Sequence, residues 1–210
     1  MGREELLQDV ERVVKSGVRR IVERRISEFK KTGRMGDEAW FKEMCFCILT
    51  ANYSALRALR MWSIIGEGFI TWPEERLRMA LKSLGHRFPN ARARYIVEAR
   101  RHIRGLKERI LNQPSEHAAR IMLVRDVRGL GMKEASHFLR NVGFDNLAII
   151  DFHILNLLER YGLIVRPKTL TRRRYLAIEA LMRSLAEELG LTLSRLDLYL
   201  WYLETGRVLK

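Results

Sequence analysis

Two glycines one residue apart, Gly129 and Gly131, stand between two stretches of helical periodicity and constrain this chain more than any other feature. Ser115 to Val127 carries Ala119, Met122 and Leu123 at helical spacing, with Ser115 placed as its N-cap. Met132 to Val142 carries Ala135, Phe138, Leu139 and Val142, and it stops at Gly143, a residue type that ends helices in the left-handed conformation. The pattern predicts a helix, a Gly129-Leu130-Gly131 hairpin and a second helix over 115–143. Both glycines are expected to turn with positive φ and to bring the backbone close to another molecule. Amides opening the second helix would then face an anion such as a phosphate. A glycine turn between helices can equally be structural alone.

The rest of the chain is also helical in pattern. Leu6, Val10, Val13, Val14, Val18, Ile21, Val22 and Phe29 trace one long first helix ended by Gly33 to Gly36. Trp40 through Leu49 is apolar almost all round and reads as a central buried helix. Thr71-Trp72-Pro73-Glu74 reads as a capping box, and Asn90, Thr171 and Ser194 as further caps. No run alternates as a strand would, so the fold class is all-α. A chain of 210 residues can bury a substantial core in one globular unit or two small lobes.

Charge and cysteine content narrow the partners. With 39 Lys and Arg against 25 Asp and Glu, the net charge of +14 favours an anionic partner, chiefly nucleic acid. Arginines cluster at Arg92 with Arg94, at Arg100-Arg101 and at Arg172-Arg173-Arg174, and their planar forks suit phosphate. Two cysteines, Cys45 and Cys47, exclude a disulfide framework and a four-cysteine cluster, and no neighbouring ligand completes a metal site. No signal sequence and no membrane-length apolar run is seen, so an intracellular, cytoplasmic protein is expected.

Two residues near the hairpin can carry chemistry. Lys133 follows Gly131 by two residues; it is either a phosphate contact or, when neutral, an amine nucleophile. Asp151 follows the apolar run Ala148-Ile149-Ile150 and opens a helical pattern that begins with Phe152 to Leu158 and ends near Gly162. It reads as an N-cap whose ionised form is favoured by the amides it accepts from, and the same carboxylate can stabilise developing positive charge.

Leu130-Gly131-Met132-Lys133-Glu134-Ala135-Ser136-His137-Phe138-Leu139-Arg140-Asn141-Val142-Gly143, the Ile149-Ile150-Asp151 segment and Trp201-Tyr202-Leu203-Glu204-Thr205-Gly206 together resemble the helix-hairpin-helix DNA glycosylases. The likeness is to the compact, archaeal-type branch of 8-oxoguanine DNA glycosylase/AP lyases, and it extends through Thr50-Ala51-Asn52, His86-Arg87-Phe88-Pro89-Asn90 and the lysine-ended C-terminus. The resemblance implies a two-lobed fold without an iron–sulfur cluster. One lobe would be the central 34–144 with the hairpin, the other 1–33 plus 145–210, with the substrate pocket between them. It implies a monomer that binds double-stranded DNA containing 8-oxoguanine and needs no metal or organic cofactor. Lys133 would be the nucleophile, Asp151 its catalytic carboxylate, and Gly129, Leu130 and Gly131 the DNA-gripping hairpin. Phe88, Trp201 and Lys210 would meet the extruded base. A non-catalytic hairpin module that recruits a partner to DNA is the alternative from another class, and a glycosylase for a different lesion the alternative within this one.

Overall fold

The computed structural model describes residues 2–210, and its regular structure is helical throughout. Two compact units are present, one of Lys31–Val142 and one of the chain up to Lys30 together with Gly143–Lys210. The first apolar stripe folds as two helices, α1 (Arg3–Val14) and α2 (Val18–Arg34), not as the single long helix its periodicity predicts. Ser16 causes the break. Its hydroxyl donates to the Val13 carbonyl at 2.7 Å and accepts from the Val18 amide at 3.2 Å, closing one helix and opening the next. Leu6, Val10 and Val13 before the break, and Val18, Val22, Ile26 and Phe29 after it, are all buried.

The unit Lys31–Val142 is built round α3 (Asp37–Thr50), which is buried from Trp40 to Thr50 except at Lys42. Such an all-round apolar helix is stable only at the centre of a layer of others. Here its neighbours are α4 (Ala55–Ile65), the single turn α5 (Gly68–Thr71), α7 (Pro89–Ala99), α8 (Leu106–Leu111) and α10 (Met132–Asn141). Helix α6 (Glu74–Ser83) packs on α7, and α9 (Glu116–Asp126) on α10. Trp40 meets Phe138 edge-on with centroids 6.1 Å apart, and Phe46 meets His137 at 5.5 Å, so α10 is seated on the central helix. Each fully buried side chain of this size stabilises the unit by about 2 kcal/mol, and a charge at Phe46 would undo it.

In the discontinuous unit, α13 (Leu193–Thr205) packs against α1, α11 (Phe152–Arg160) and α12 (Arg172–Glu188). Tyr161, just past α11, donates its hydroxyl to Asp9 of α1, and Arg195 of α13 makes a paired contact with Glu23 of α2 at 2.9 and 3.0 Å.

Caps decide where several helices begin. Ser115 and Thr171 cap α9 and α12 as expected, accepting from the Ala118 and Arg174 amides. Three expected caps are corrected. Thr71 does not open α6; it ends α5, its hydroxyl donating to the Glu67 carbonyl, while Pro73 occupies the cap position of α6 with its fixed φ. Asn90 lies inside the first turn of α7, because Pro89 starts that helix one residue earlier. Thr192, not Ser194, caps α13; the Ser194 hydroxyl turns inward to the Phe144 carbonyl and the Asp145 carboxylate. Among the described residues no helix is long and apolar enough to cross a membrane.

Candidate functional site

The hairpin joins α9 to α10, and its two glycines do different work. Gly129 has φ +96°, and a Cβ there would lie 2.7 Å from the Tyr95 ring, so conformation and space both require glycine. Gly131 has φ −88° and ψ −174°, an extended conformation open to any residue. The expectation of positive φ at both glycines therefore fails at Gly131. What sits over Gly131 is Glu134, whose Oε2 accepts the Gly131 amide at 3.2 Å and would be 3.0 Å from an added Cβ. This is one half of a capping box, made by the carboxylate alone. Between the glycines Leu130 is buried and anchors the turn.

Lys133 occupies the second position of α10, with its side chain one-fifth exposed. Its ion-pair partner is Glu134, whose Oε1 lies 3.9 Å from Nζ. The structure thus puts a carboxylate beside this amine.

Behind Gly129, Tyr95 collects arginines that sequence reading did not connect to the hairpin. The guanidinium groups of Arg92, Arg94 and Arg128 lie 5.9, 5.7 and 5.1 Å from its ring centroid, within cation–π range. Glu98 ties Arg128 at 3.5 Å and Arg94 at 3.9 Å. Three cations are thus fixed beside the hairpin. Arg92 also donates to the Ala51 carbonyl at 2.6 Å, which connects this cluster to the turn preceding α4.

Phe88 lies next to α7, half exposed, with Arg87 and Arg92 over its ring at 5.1 and 5.8 Å. His86 sets its backbone. Nδ1 of the imidazole accepts the Phe88 amide at 3.0 Å, Nε2 faces the Leu49 carbonyl at 3.1 Å, and Tyr53 stacks on the ring at 4.2 Å. This network assigns the proton to Nε2 and the neutral form to the ring. Burial lowers the His86 pKa, the Arg92 charge lowers it further, and the Leu49 carbonyl opposes both.

Asp151 caps α11. Its Oδ1 accepts the Ile154 amide at 3.0 Å and its carbonyl the Leu155 amide at 3.0 Å, while Oδ2 has no hydrogen-bond partner among the described residues. The carboxylate is partly exposed. Two residues on, His153 lies between the exposed Phe152, at 3.8 Å between centroids, and the edge of Trp201, at 4.6 Å. Trp201 is only partly exposed, and its indole Nε1 is buried without a hydrogen-bond partner among the described residues. Lys210 follows α13 and is partly buried.

The expected site residues thus divide. Phe88, Gly129, Leu130, Gly131 and Lys133 belong to the unit Lys31–Val142, with Arg92 and Tyr95 linking Phe88 to the hairpin. Asp151, Trp201 and Lys210 belong to the other unit, with His153 linking the first two. Cys45 and Cys47 are buried in α3, where burial pushes the Cys45 thiol well above its ordinary pKa. Among the described residues no group of three or more His, Cys, Asp or Glu is placed to hold a metal.

Comparison with known proteins converges on one family. The family model described as 8-oxoguanine DNA glycosylase matches residues 22–191. A protein of Methanocaldococcus jannaschii named 8-oxoguanine DNA glycosylase/AP lyase is 51% identical over 206 residues, 98% of this chain and 99% of its own. One of the same name from Korarchaeum cryptofilum is 50% identical over 211 residues, covering 100% of each chain. The crystal structure of the M. jannaschii 8-oxoguanine glycosylase/lyase in complex with a 15mer DNA containing 8-oxoguanine superposes with a TM-score of 0.96 at 50% identity, over 98% of this chain and 100% of that one. A glycine hairpin backed by arginines, an amine at the start of the following helix and a likeness that runs the length of the chain lead to one conclusion: this chain belongs to the 8-oxoguanine DNA glycosylase family.

Proposed function

We propose that this chain excises 8-oxoguanine from duplex DNA and then cleaves the strand at the resulting abasic site. Its relatives carry both activities in their name, and one was crystallised on DNA containing 8-oxoguanine. The observation that carries the lyase half is Lys133, a partly exposed amine two residues beyond the hairpin turn. A glycosylase that used water alone would have no need of an amine there.

The chemistry follows from the groups. The reacting sugar carbon is inaccessible in stacked DNA, so the damaged nucleotide is extruded first, with its phosphate held at the Gly129-Leu130-Gly131 turn. Lys133 sheds its proton and Nζ attacks C1′; the glycosidic bond breaks and the base leaves with the bonding electrons, taking up a proton. Asp151 stabilises the positive charge that builds on the sugar as that bond lengthens. The sugar ring opens to a Schiff base on Nζ, which acidifies the C2′ proton. Loss of that proton expels the 3′ phosphate, and hydrolysis frees the lysine. Phe88, Trp201 and Lys210 are assigned to the extruded base: an aromatic face suits any base, and 8-oxoguanine differs from guanine in carrying an oxygen at C8 and a proton on N7. We place this activity on DNA inside the cell.

Borohydride reduction tests this reading. Wild type should become covalently joined to 8-oxoguanine duplex, and Lys133→Gln should bind the duplex without releasing base or trapping. Undiminished trapping by Lys133→Gln would remove the nucleophile assignment. A panel of duplexes with other lesions tests the substrate, and faster release of any of them would displace 8-oxoguanine as the primary base.

A further inference from the structure

Residues 147–150 lead into Asp151 as irregular backbone that belongs to no helix or sheet, yet Ala148, Ile149 and Ile150 are buried. Irregular backbone shielded from water needs partners for its amides and carbonyls. Two side chains of α12 supply three of those bonds. Tyr175 donates its hydroxyl to the Ala148 carbonyl at 2.7 Å and accepts the Ile150 amide at 3.4 Å. Glu179 accepts the Ala148 amide through Oε2 at 3.0 Å. Tyr175 and Glu179 are four residues apart, hence on one face of the helix, and both are 2% exposed. Together they act on this segment as an adjacent strand would.

From this we infer that Tyr175 and Glu179 are positioning residues for Asp151. The inference rests on the proposed role of Asp151. The carboxylate has its N-cap bond on one side and the braced run 148–150 on the other, so its backbone is fixed from both directions. A buried glutamate is a costly choice for holding a loop, since its desolvation must be offset by what it accepts. Its use here matches a task in which a displacement of about 1 Å at the reacting group costs large factors in rate. Neither residue touches the substrate in this account; both act through the position of Asp151.

A double-mutant cycle tests the idea on the full-length chain. Single-turnover release of 8-oxoguanine from duplex would be measured for wild type, Tyr175→Phe, Asp151→Asn and the double variant, alongside duplex affinity and thermal unfolding. Tyr175→Phe removes only the hydroxyl and should slow base release by about tenfold to a hundredfold with affinity unchanged. Added to Asp151→Asn it should cause no further loss, because the group it positions is already disabled. Glu179→Gln keeps an acceptor oxygen and should stay close to wild type, whereas Glu179→Leu should repeat the Tyr175→Phe defect. That pair carries the same test through the cycle if Tyr175→Phe does not fold. Wild-type rates for Tyr175→Phe and Glu179→Leu beside an impaired Asp151→Asn would overturn the inference. So would a Tyr175→Phe defect that multiplies with Asp151→Asn, since that marks general loosening. A wild-type rate for Asp151→Asn itself would instead sink the role proposed for the carboxylate.

Discussion

Lys133 and Asp151 each stand at the opening of a helix, but the two are secured by opposite means. Lys133 follows a turn defined by residues a few positions away: Leu130 anchors it and Glu134 reaches back to the Gly131 amide, with Tyr95 the main contribution from afar. Asp151 has two local bonds, from the Ile154 and Leu155 amides, and otherwise depends on side chains of α12 more than twenty residues downstream. A nucleophile on a flexible stem tolerates such local support, because the stem itself can search for the sugar carbon. A short carboxylate has no such reach, and its backbone must already be in place.

The sharpest way to break this comparison is to remove each group. Lys133→Gln should lower base release by more than about a thousandfold and abolish trapping, as loss of a nucleophile does in covalent catalysis. Asp151→Asn should lower it by about a hundredfold to a thousandfold, the usual cost of one stabilising group, while still forming a trappable adduct on a preformed abasic site. Single-turnover assays on both substrates separate the two, and equal defects on both would mean that the residues act as one unit.

Support for the turn can be broken next. Gly129→Val asks a β-branched residue to take φ +96° against the Tyr95 ring, and should destabilise the protein by about 3 kcal/mol in chemical denaturation. Gly131→Ala should cost less than about 1 kcal/mol, since its backbone is extended and only a flexible carboxylate must move. Its effect should fall on duplex affinity, where an added methyl stands between backbone and phosphate. Equal stability losses at the two positions would erase the distinction drawn between them.

A smaller effect is expected from salt. Affinity for damaged and undamaged duplex should fall together as salt rises, with log K linear in log salt, if the arginines gathered round Tyr95 act on phosphates and not on bases. Replacing Arg128 with Gln should reduce that slope by about one unit without changing lesion preference. A salt-independent affinity would contradict this.

Local signals were legible in the sequence and distant ones were not. The helix-hairpin-helix, the central α3 and the caps at Ser115 and Thr171 each follow from residues within one or two turns, and the structure agrees. Expectations failed where a neighbour competed for the same role: Ser16 split the first helix, Pro73 and Pro89 displaced Thr71 and Asn90, and Thr192 pre-empted Ser194. The two glycines looked equivalent because spacing cannot reveal φ. Tyr95 behind Gly129, His86 beneath Phe88 and the Tyr175–Glu179 brace were invisible, since nothing in their own neighbourhoods marks the backbone they would meet after folding.

The least of the expected effects lies at Phe88 and concerns pH. His86 is held neutral, chiefly by burial, with its pKa below the ordinary 6.5. A group whose folded pKa is depressed contributes stability that is complete above its unfolded value and is lost as pH falls through the folded one. Stability at the Phe88 turn should therefore be flat above about pH 7 and decline below pH 6.5, as the imidazole takes a proton at Nδ1 and can no longer accept the Phe88 amide. His86→Gln should flatten that part of the pH–stability curve. If Phe88 meets the extruded base, acidification should also slow 8-oxoguanine release more than cleavage of a preformed abasic site, and His86→Gln should narrow the gap between the two. A gap that stays the same in the variant would show that the imidazole holds up the fold of its own unit but does not govern how Phe88 is presented to the base.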